Sequence, residues 1–281
     1  MGRPIAGNLL AAGFGVSVWN RTAARAEPLV EQGARLAASP AEAAAGSTVI
    51  LTMLADGAAV EAAMRGPAGA LAAAPRGAVW IQMATIGIDW TRRLAELAHD
   101  AGLEFVDAPV SGSDVPAREG TLVVLASGPE GIAARVAPVL KAIGRKTLWL
   151  GPAGNGSRLK LAMNNWLATQ VEAAAETIAL TEALGIDPRA FVEALADSPL
   201  GSRFAVAKAT AMLDGQLEPG FALRHAYKDV GFALAAARDQ GIELPLTDAL
   251  AGRWNQTIAD GHADDDVASV IAEASNHRRG A

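Results

Sequence analysis

The stretch Gly154-Asn155-Gly156-Ser157-Arg158-Leu159-Lys160-Leu161-Ala162-Met163-Asn164-Asn165 divides the chain into two kinds of sequence. Before it, strand-like and helix-like patterns alternate; after it, almost nothing reads as strand. Two glycines open the stretch, and an apolar helical run with a lysine inside it follows. Lys160 lies between Leu159 and Leu161, with Ala162 and Met163 next. An apolar setting disfavours an ammonium ion and makes its proton easier to give up. Asn164 comes four residues later, on the same helical face. A proton donor beside a neutral hydrogen-bonding group suits the handling of a substrate oxygen. Only five of the 24 Lys+Arg side chains are lysine, so Lys160 is not compositional habit. The alternative is a stem packed on the helix with its head snorkelling to water.

Composition narrows the classes. The chain has 281 residues, 51% of them apolar, and a formal net charge of -6. That length suits one large or two ordinary domains. The charge gives no general attraction to nucleic acid or to an anionic membrane. The sequence has no cysteine, which excludes disulfides, thiolate metal sites and cysteine nucleophiles. No apolar run reaches the roughly 18 residues of a membrane span, and the start lacks the basic-then-apolar pattern of a secretory signal. A cytoplasmic protein is expected. His99, His225, His262 and His277 are scattered and read as structural or surface residues, and no His/Asp/Glu cluster points to a metal.

Outward from the dividing stretch, the upstream half reads as helix to Gly13, strand Val16–Trp19, and helix from Thr22 to about Gln32. Thr48–Leu54 is nearly all apolar, as a strand buried on both faces requires. A helix at 60–65, a strand at 78–83, a helix at 89–101 and strands at 104–107 and 121–125 continue the alternation. This rhythm predicts a doubly wound α/β sheet. Downstream, a helix from Gly156 to Leu184 would be roughly 45 Å long at the standard rise. Further helices are predicted around 189–196, 203–213, 223–240 and 246–260. The expected domains are therefore an α/β unit at 1–151 and an all-helical one at 152–281.

Ligands of doubly wound folds bind at the carboxyl ends of the strands. A dinucleotide site usually begins strand, Gly-x-Gly-x-x-Gly, helix. Here Met1-Gly2 leads straight into an apolar helix, like the last part of such a turn with its strand and first two glycines absent. The chain is expected either to continue upstream or to bind cofactor poorly. About 20 residues past the turn, an acidic residue would hold a ribose 2′-hydroxyl. That place holds Asn20-Arg21-Thr22, and a guanidinium can bind a 2′-phosphate that a carboxylate would repel. NADP(H) is expected to be preferred, with NAD(H) possible; the alternative is an ordinary surface arginine. After Asp107, Ala108-Pro109-Val110-Ser111-Gly112-Ser113 offers a hydroxyl and accessible amides that could grip a carboxylate, or is a plain strand-end turn.

Together these residues resemble the β-hydroxyacid dehydrogenase family, which includes 3-hydroxyisobutyrate dehydrogenases and glyoxylate/succinic semialdehyde reductases. Asp107 to Gly112 is similar to its substrate motif Asp-Ala-Pro-Val-Ser-Gly. Gly154 to Asn164 is similar to Gly-x-Gly-x-x-x-Lys-x-x-x-Asn, and Lys228-Asp229 to a later Lys-Asp pair. The resemblance implies a Rossmann-like domain followed by a 6-phosphogluconate dehydrogenase-like helical domain. It implies that Gly2, Asn20, Arg21, Thr22, Met53, Leu54, Thr85 and Lys228 contact the cofactor. Ser111, Gly112, Thr85, Phe221 and Asp229 would bind substrate, and Lys160 and Asn164 would be catalytic, with Lys160 as general acid in reduction and base in oxidation. Ser113 stands where a glycine is common, and Ala84 where a serine often precedes Thr85.

The expected reaction is hydride transfer between a nicotinamide and a small hydroxy acid, semialdehyde or keto acid. One rival is an NADPH-dependent imine reductase, which also often carries Trp-Asn-Arg-Thr after its second strand. Another is a catalytically impaired scaffold that keeps the fold for self-association. Apolar positions all round several later helices lead to the expectation of a homodimer or homotetramer.

Overall fold

The computed structural model describes residues 1–276; His277 lies outside them. The chain forms two compact units, Met1–Lys160 and Leu161–Ala281. The first runs α1 (Gly2–Ala11), β1 (Ser17–Val18), α2 (Glu27–Val30), β2 (Arg35–Leu36), α3 (Pro40–Ala44), β3 (Val49–Thr52), α4 (Gly57–Met64) and β4 (Val79–Gln82). It continues with α5 (Ile88–Asp100), β5 (Glu104–Asp107), β6 (Val110–Ser111), α6 (Asp114–Arg118), β7 (Leu122–Ala126), α7 (Ala133–Ile143) and β8 (Gly144–Trp149). Then α8 (Asn155–Ala183) begins in the first unit and carries the chain into the second.

Strand β4 shows why the sheet is covered on both faces. All four of its residues are buried. Because side chains alternate across a strand, Val79 and Ile81 enter one apolar cluster with Ile5, Val106, Val124 and Val136. Trp80 enters another with Val60, Met64, Leu94 and Phe105. Trp80 meets Phe105 edge to face with ring centroids 5.3 Å apart, and its indole N–H donates to Thr52 Oγ1 at 2.9 Å.

The strands fall into three ladders: β1-β2, β3-β4-β5 and β6-β7-β8. All pairs are parallel except β6 with β7. Reciprocal backbone hydrogen bonds between Asp107 and Ser127 stitch the carboxyl ends of the second and third ladders together. Among the described residues no strand joins β1 to β3. Instead both edges line a cleft of about 1460 Å³, with Val16, Val18, Ile50, Leu51 and, from α1, Ile5 and Leu9 on its walls.

Two sequence expectations give way here, and a stretch with no expected element gains one. The helix expected from Thr22 to Gln32 is a 3-10 turn at Ala23–Arg25 followed by the four-residue α2, and Thr22 makes no side-chain cap bond. Pro28 fits the restart: it supplies no N–H and sits in the first turn of α2, where a helix tolerates it. The turn expected at Ala108–Ser113 contains β6, with Ser111 opposite Val123. The unassigned stretch before Gly144 is the helix α7, which accommodates Pro138 and buries Val136, Val139, Leu140 and Ile143.

The second unit is helical: the rest of α8, then α9 (Pro188–Ala196), α10 (Arg203–Asp214), α11 (Leu223–Asp239), α12 (Pro245–Thr257) and α13 (Ile271–Asn276). Leu161, Asn164, Ala168, Val171, Ala175 and Ile178 are the buried stripe of α8, in the alternating three-and-four spacing of a one-sided helix. From Ala168 onward the stripe packs with Leu223, Val230, Leu250 and Trp254. Trp254 donates its indole N–H to buried Glu172 at 2.8 Å. No helix among the described residues is long and apolar enough to cross a membrane.

Candidate active site

In the first unit the nominated residues gather where strands end. Asn20 follows β1, Met53 and Leu54 follow β3, Thr85 follows β4, Ser111 ends β6 and Gly112 follows it. Gly2, Asn20, Met53 and Leu54 all line the cleft. Gly2 lies against β3: a Cβ there would be 3.6 Å from the Met53 carbonyl oxygen. The first turn of α1 also lines the cleft, and no side chain caps it. Its leading N–H groups are therefore available to an anion at a helix N-terminus. These features fit a dinucleotide pyrophosphate. Asn20 Nδ2 donates to the Thr22 carbonyl at 2.8 Å, which holds the turn that presents Arg21. Arg21 and Thr22 are exposed and are not among the cleft-lining residues.

The substrate motif has a backbone reason for its glycine. Gly112 has φ 129, and a Cβ there would come within 2.7 Å of Leu122 Cδ2 and 3.1 Å of Pro116 Cβ. Only glycine takes that conformation in that space. Ser111 is half-buried beside it and Gly112 is exposed.

Lys160 is half-buried on the second turn of α8. The start of that helix abuts the strand ends, because a Cβ on Gly156 would fall 2.2 Å from the Leu125 carbonyl oxygen and 3.0 Å from that of Asp107. Lys160 thus rides a helix anchored at the carboxyl ends of β5 and β7, and a glycine is required to bring it that close.

A group the sequence did not nominate does the anchoring. Asp107, wholly buried at the end of β5, accepts from the Ser157 backbone N–H at 2.7 Å, the Ser157 hydroxyl at 2.7 Å and the Ser127 hydroxyl at 3.2 Å. The Ser127 Oγ in turn accepts the Gly156 N–H at 2.9 Å. Burial pushes the Asp107 carboxyl up to about 6, against the opposing pull of hydrogen bonds from Ser157, Ser127 and Gly154. The only sequence signal was its place at the head of the Asp-Ala-Pro-Val-Ser-Gly motif.

In the second unit, Asn164 is buried and donates from Nδ2 to Asp229 Oδ2 at 2.6 Å. Lys228 Nζ lies 3.0 Å from Asp229 Oδ1 and 5.0 Å from the Phe232 ring centre. His225, one turn earlier on α11, is held below its ordinary value by burial and then by Arg224 and Lys228. The half-buried Phe221 is fixed at its backbone N–H by Asp266 Oδ2, at 3.0 Å. Asp266 also takes the Lys208 ammonium at 2.6 Å.

Comparison with known proteins identifies both halves of the chain. Residues 1–151 match the NAD binding domain of 6-phosphogluconate dehydrogenase. Residues 154–274 match the NAD-binding domain of NADP-dependent 3-hydroxyisobutyrate dehydrogenase. These two domains define an NAD(P)-dependent oxidoreductase. Glyoxylate/succinic semialdehyde reductase 2 of Arabidopsis thaliana is 31% identical over 96% of this chain and 76% of that protein. The solved 3-hydroxyisobutyrate dehydrogenase of Mycobacterium tuberculosis, with L-serine, is 30% identical with a TM-score of 0.88 over 100% of this chain and 96% of that one. An imine reductase of Aspergillus terreus, solved with NADPH4, is 29% identical with a TM-score of 0.63 over 97% and 95%. The chain belongs to the β-hydroxyacid dehydrogenase family and is an NAD(P)-dependent hydroxyacid dehydrogenase.

Proposed function

We propose that this chain catalyses reversible hydride transfer between NADP(H) and a small 3-hydroxy acid or the corresponding semialdehyde or keto acid, with Lys160 as general acid and base. The anchoring of the Lys160-bearing turn of α8 at the carboxyl ends of β5 and β7 carries this reading. When bound, the nicotinamide supplies the hydride in reduction and receives it in oxidation. The protein supplies the rest. Lys160 stabilises negative charge on the substrate oxygen as reduction proceeds, then gives it a proton; in oxidation it takes the hydroxyl proton. Ser111 and the Gly112 amide hold the carboxylate. Asn164, oriented by Asp229, and Phe221 shape the substrate pocket. Gly2, Met53, Leu54 and Thr85 are assigned to the cofactor, as is Lys228 of the helical unit. Arg21, presented by the Asn20–Thr22 turn, favours the 2′-phosphate of NADP(H).

A substrate panel assayed with NADPH and NADH tests the reading, run on this chain and on its Lys160→Ala variant. NADPH oxidation with glyoxylate or succinic semialdehyde, reduced at least a hundredfold in the variant, is expected. Turnover of a cyclic imine instead would favour the imine reductase reading, which the likeness to the Aspergillus terreus enzyme keeps in play. No turnover despite NADPH binding would favour the scaffold.

The same reading includes a homodimer or homotetramer built through the helical unit. Trp166 and Leu180 of α8 and Leu184, just past its end, are 66%, 57% and 68% exposed, which is costly for large apolar side chains left in water.

A further inference from the structure

We infer that Asp107, acting with Ser157 and Ser127, is the positioning device for Lys160, and that it works through hydrogen-bond geometry rather than through its charge. The inference rests on the proposed role of Lys160 and adds residues to it.

Helix α8 has a local capping problem. The first N–H groups of a helix lack intrahelical acceptors, and a side-chain oxygen just before the helix usually meets that need. Here the preceding residue is Gly154, which has no side chain. The acceptors come instead from residues far away in sequence: Ser127 Oγ for the Gly156 N–H and Asp107 Oδ2 for the Ser157 N–H. The cap is therefore also the tie between helix and sheet. It fixes α8 at residues 156 and 157, within one turn of Lys160, and the missing Cβ at Gly156 lets the backbone settle against Leu125.

The side chains extend this tie. Ser157 Oγ contacts Asp107 Oδ1 at 2.7 Å and Thr91 Oγ1 at 3.0 Å. Thr91 also donates to the Gly87 carbonyl at 2.8 Å. Three oxygen–oxygen contacts in a row, from Asp107 through Ser157 and Thr91 to Gly87, need three protons to be filled at once. Two hydroxyls supply only two: with the Ser157 proton given to an ionised Asp107 and the Thr91 proton to Gly87, the Ser157–Thr91 contact has none. A proton on Asp107 Oδ1, or an amide N–H in its place, supplies the third and turns every hydroxyl the same way. An asparagine at 107 would keep its oxygen toward the Ser157 N–H and direct its NH₂ at the Ser157 hydroxyl. The network accepts a neutral group of that shape, so its service to Lys160 does not depend on a negative charge.

The test compares Asp107→Asn, Asp107→Ala, Ser157→Ala and Lys160→Ala in the intact chain. It measures kcat, KM for NADPH and melting temperature, with assays held below each melting point. Asp107→Asn is expected to keep kcat within about threefold of the parent. Asp107→Ala should lose at least about tenfold in kcat, since small misplacements of a catalytic group are costly, and Ser157→Ala a smaller factor. KM for NADPH should stay unchanged in all three. A purely structural role would lower the melting temperature and leave kcat of the folded protein intact, and that outcome overturns the inference. So does an Asp107→Asn variant as impaired as Asp107→Ala. If Asp107→Ala does not fold, Ser157→Ala, which removes a single hydroxyl, decides between the two roles. Activity surviving in Lys160→Ala sinks the proposed function itself. Activity lost there but kept in Asp107→Ala and Ser157→Ala sinks only the positioning role.

Discussion

Asp107 shows how much a single residue can cost and return. Its carboxyl is buried with its value raised from 3.8 to about 6, so the folded state holds the proton more tightly than the unfolded chain. The stabilisation this gives is complete below about pH 4 and is lost as the pH rises through 6. At pH 7 the ionised group therefore weighs on the fold by about 3 kcal/mol. The Asp107→Asn variant lacks that ionisation. Urea unfolding is expected to find it more stable than the parent at pH 7 by up to that amount, with the difference closing near pH 4. Identical pH slopes for the two proteins would refute the assignment. This residue also marks a limit of sequence reading. Asp107 was legible as the end of a strand and the head of a motif. Its partner Ser157 is 50 positions away, and neither spacing nor periodicity connects them. Lys160 and Asn164 were legible because their relation is local, one helical turn.

Elements differ in legibility for the same reason. Strand β4 and helix α8 announce themselves through apolar run length and three-and-four spacing, and the structure places them at Val79–Gln82 and Asn155–Ala183. Of the two-residue strands, β1 falls inside the expected Val16–Trp19, whereas β2 and β6 carry too few residues for any period and are defined by the strand they pair with. The β1-β2 pair is a short ladder apart from the other two. It has two paired positions, Ser17 with Arg35 and Val18 with Leu36, and its own small cluster of Val18, Ala26, Leu29 and Ala34. Local opening free energy follows buried contacts and ladder length. Hydrogen exchange is expected to be fast at the amides of Arg35 and Ala37, which donate to Val16 and Val18, and slow at Met83, which donates to Thr52 at the edge of β4. Equal protection at the two places would show that the pair is held by something outside its own cluster.

For the molecule as a whole, the order of its two units was readable because strand-forming patterns stop near Gly151 and helix-forming ones do not. The proposed self-association was read from apolar residues spread round the later helices, and the exposed Trp166 and Leu180 of α8, with Leu184 just past its end, are its candidate surface. Sedimentation velocity is expected to show a dimer or tetramer, and Leu184→Glu to shift it toward monomer; a parent protein that sediments only as monomer would end that proposal. The bare backbone at Gly156 has a consequence of its own. A Cβ there would stand 2.2 Å from the Leu125 carbonyl oxygen, so even alanine would prise the helix off the sheet, and the position should admit no replacement that leaves the fold undisturbed.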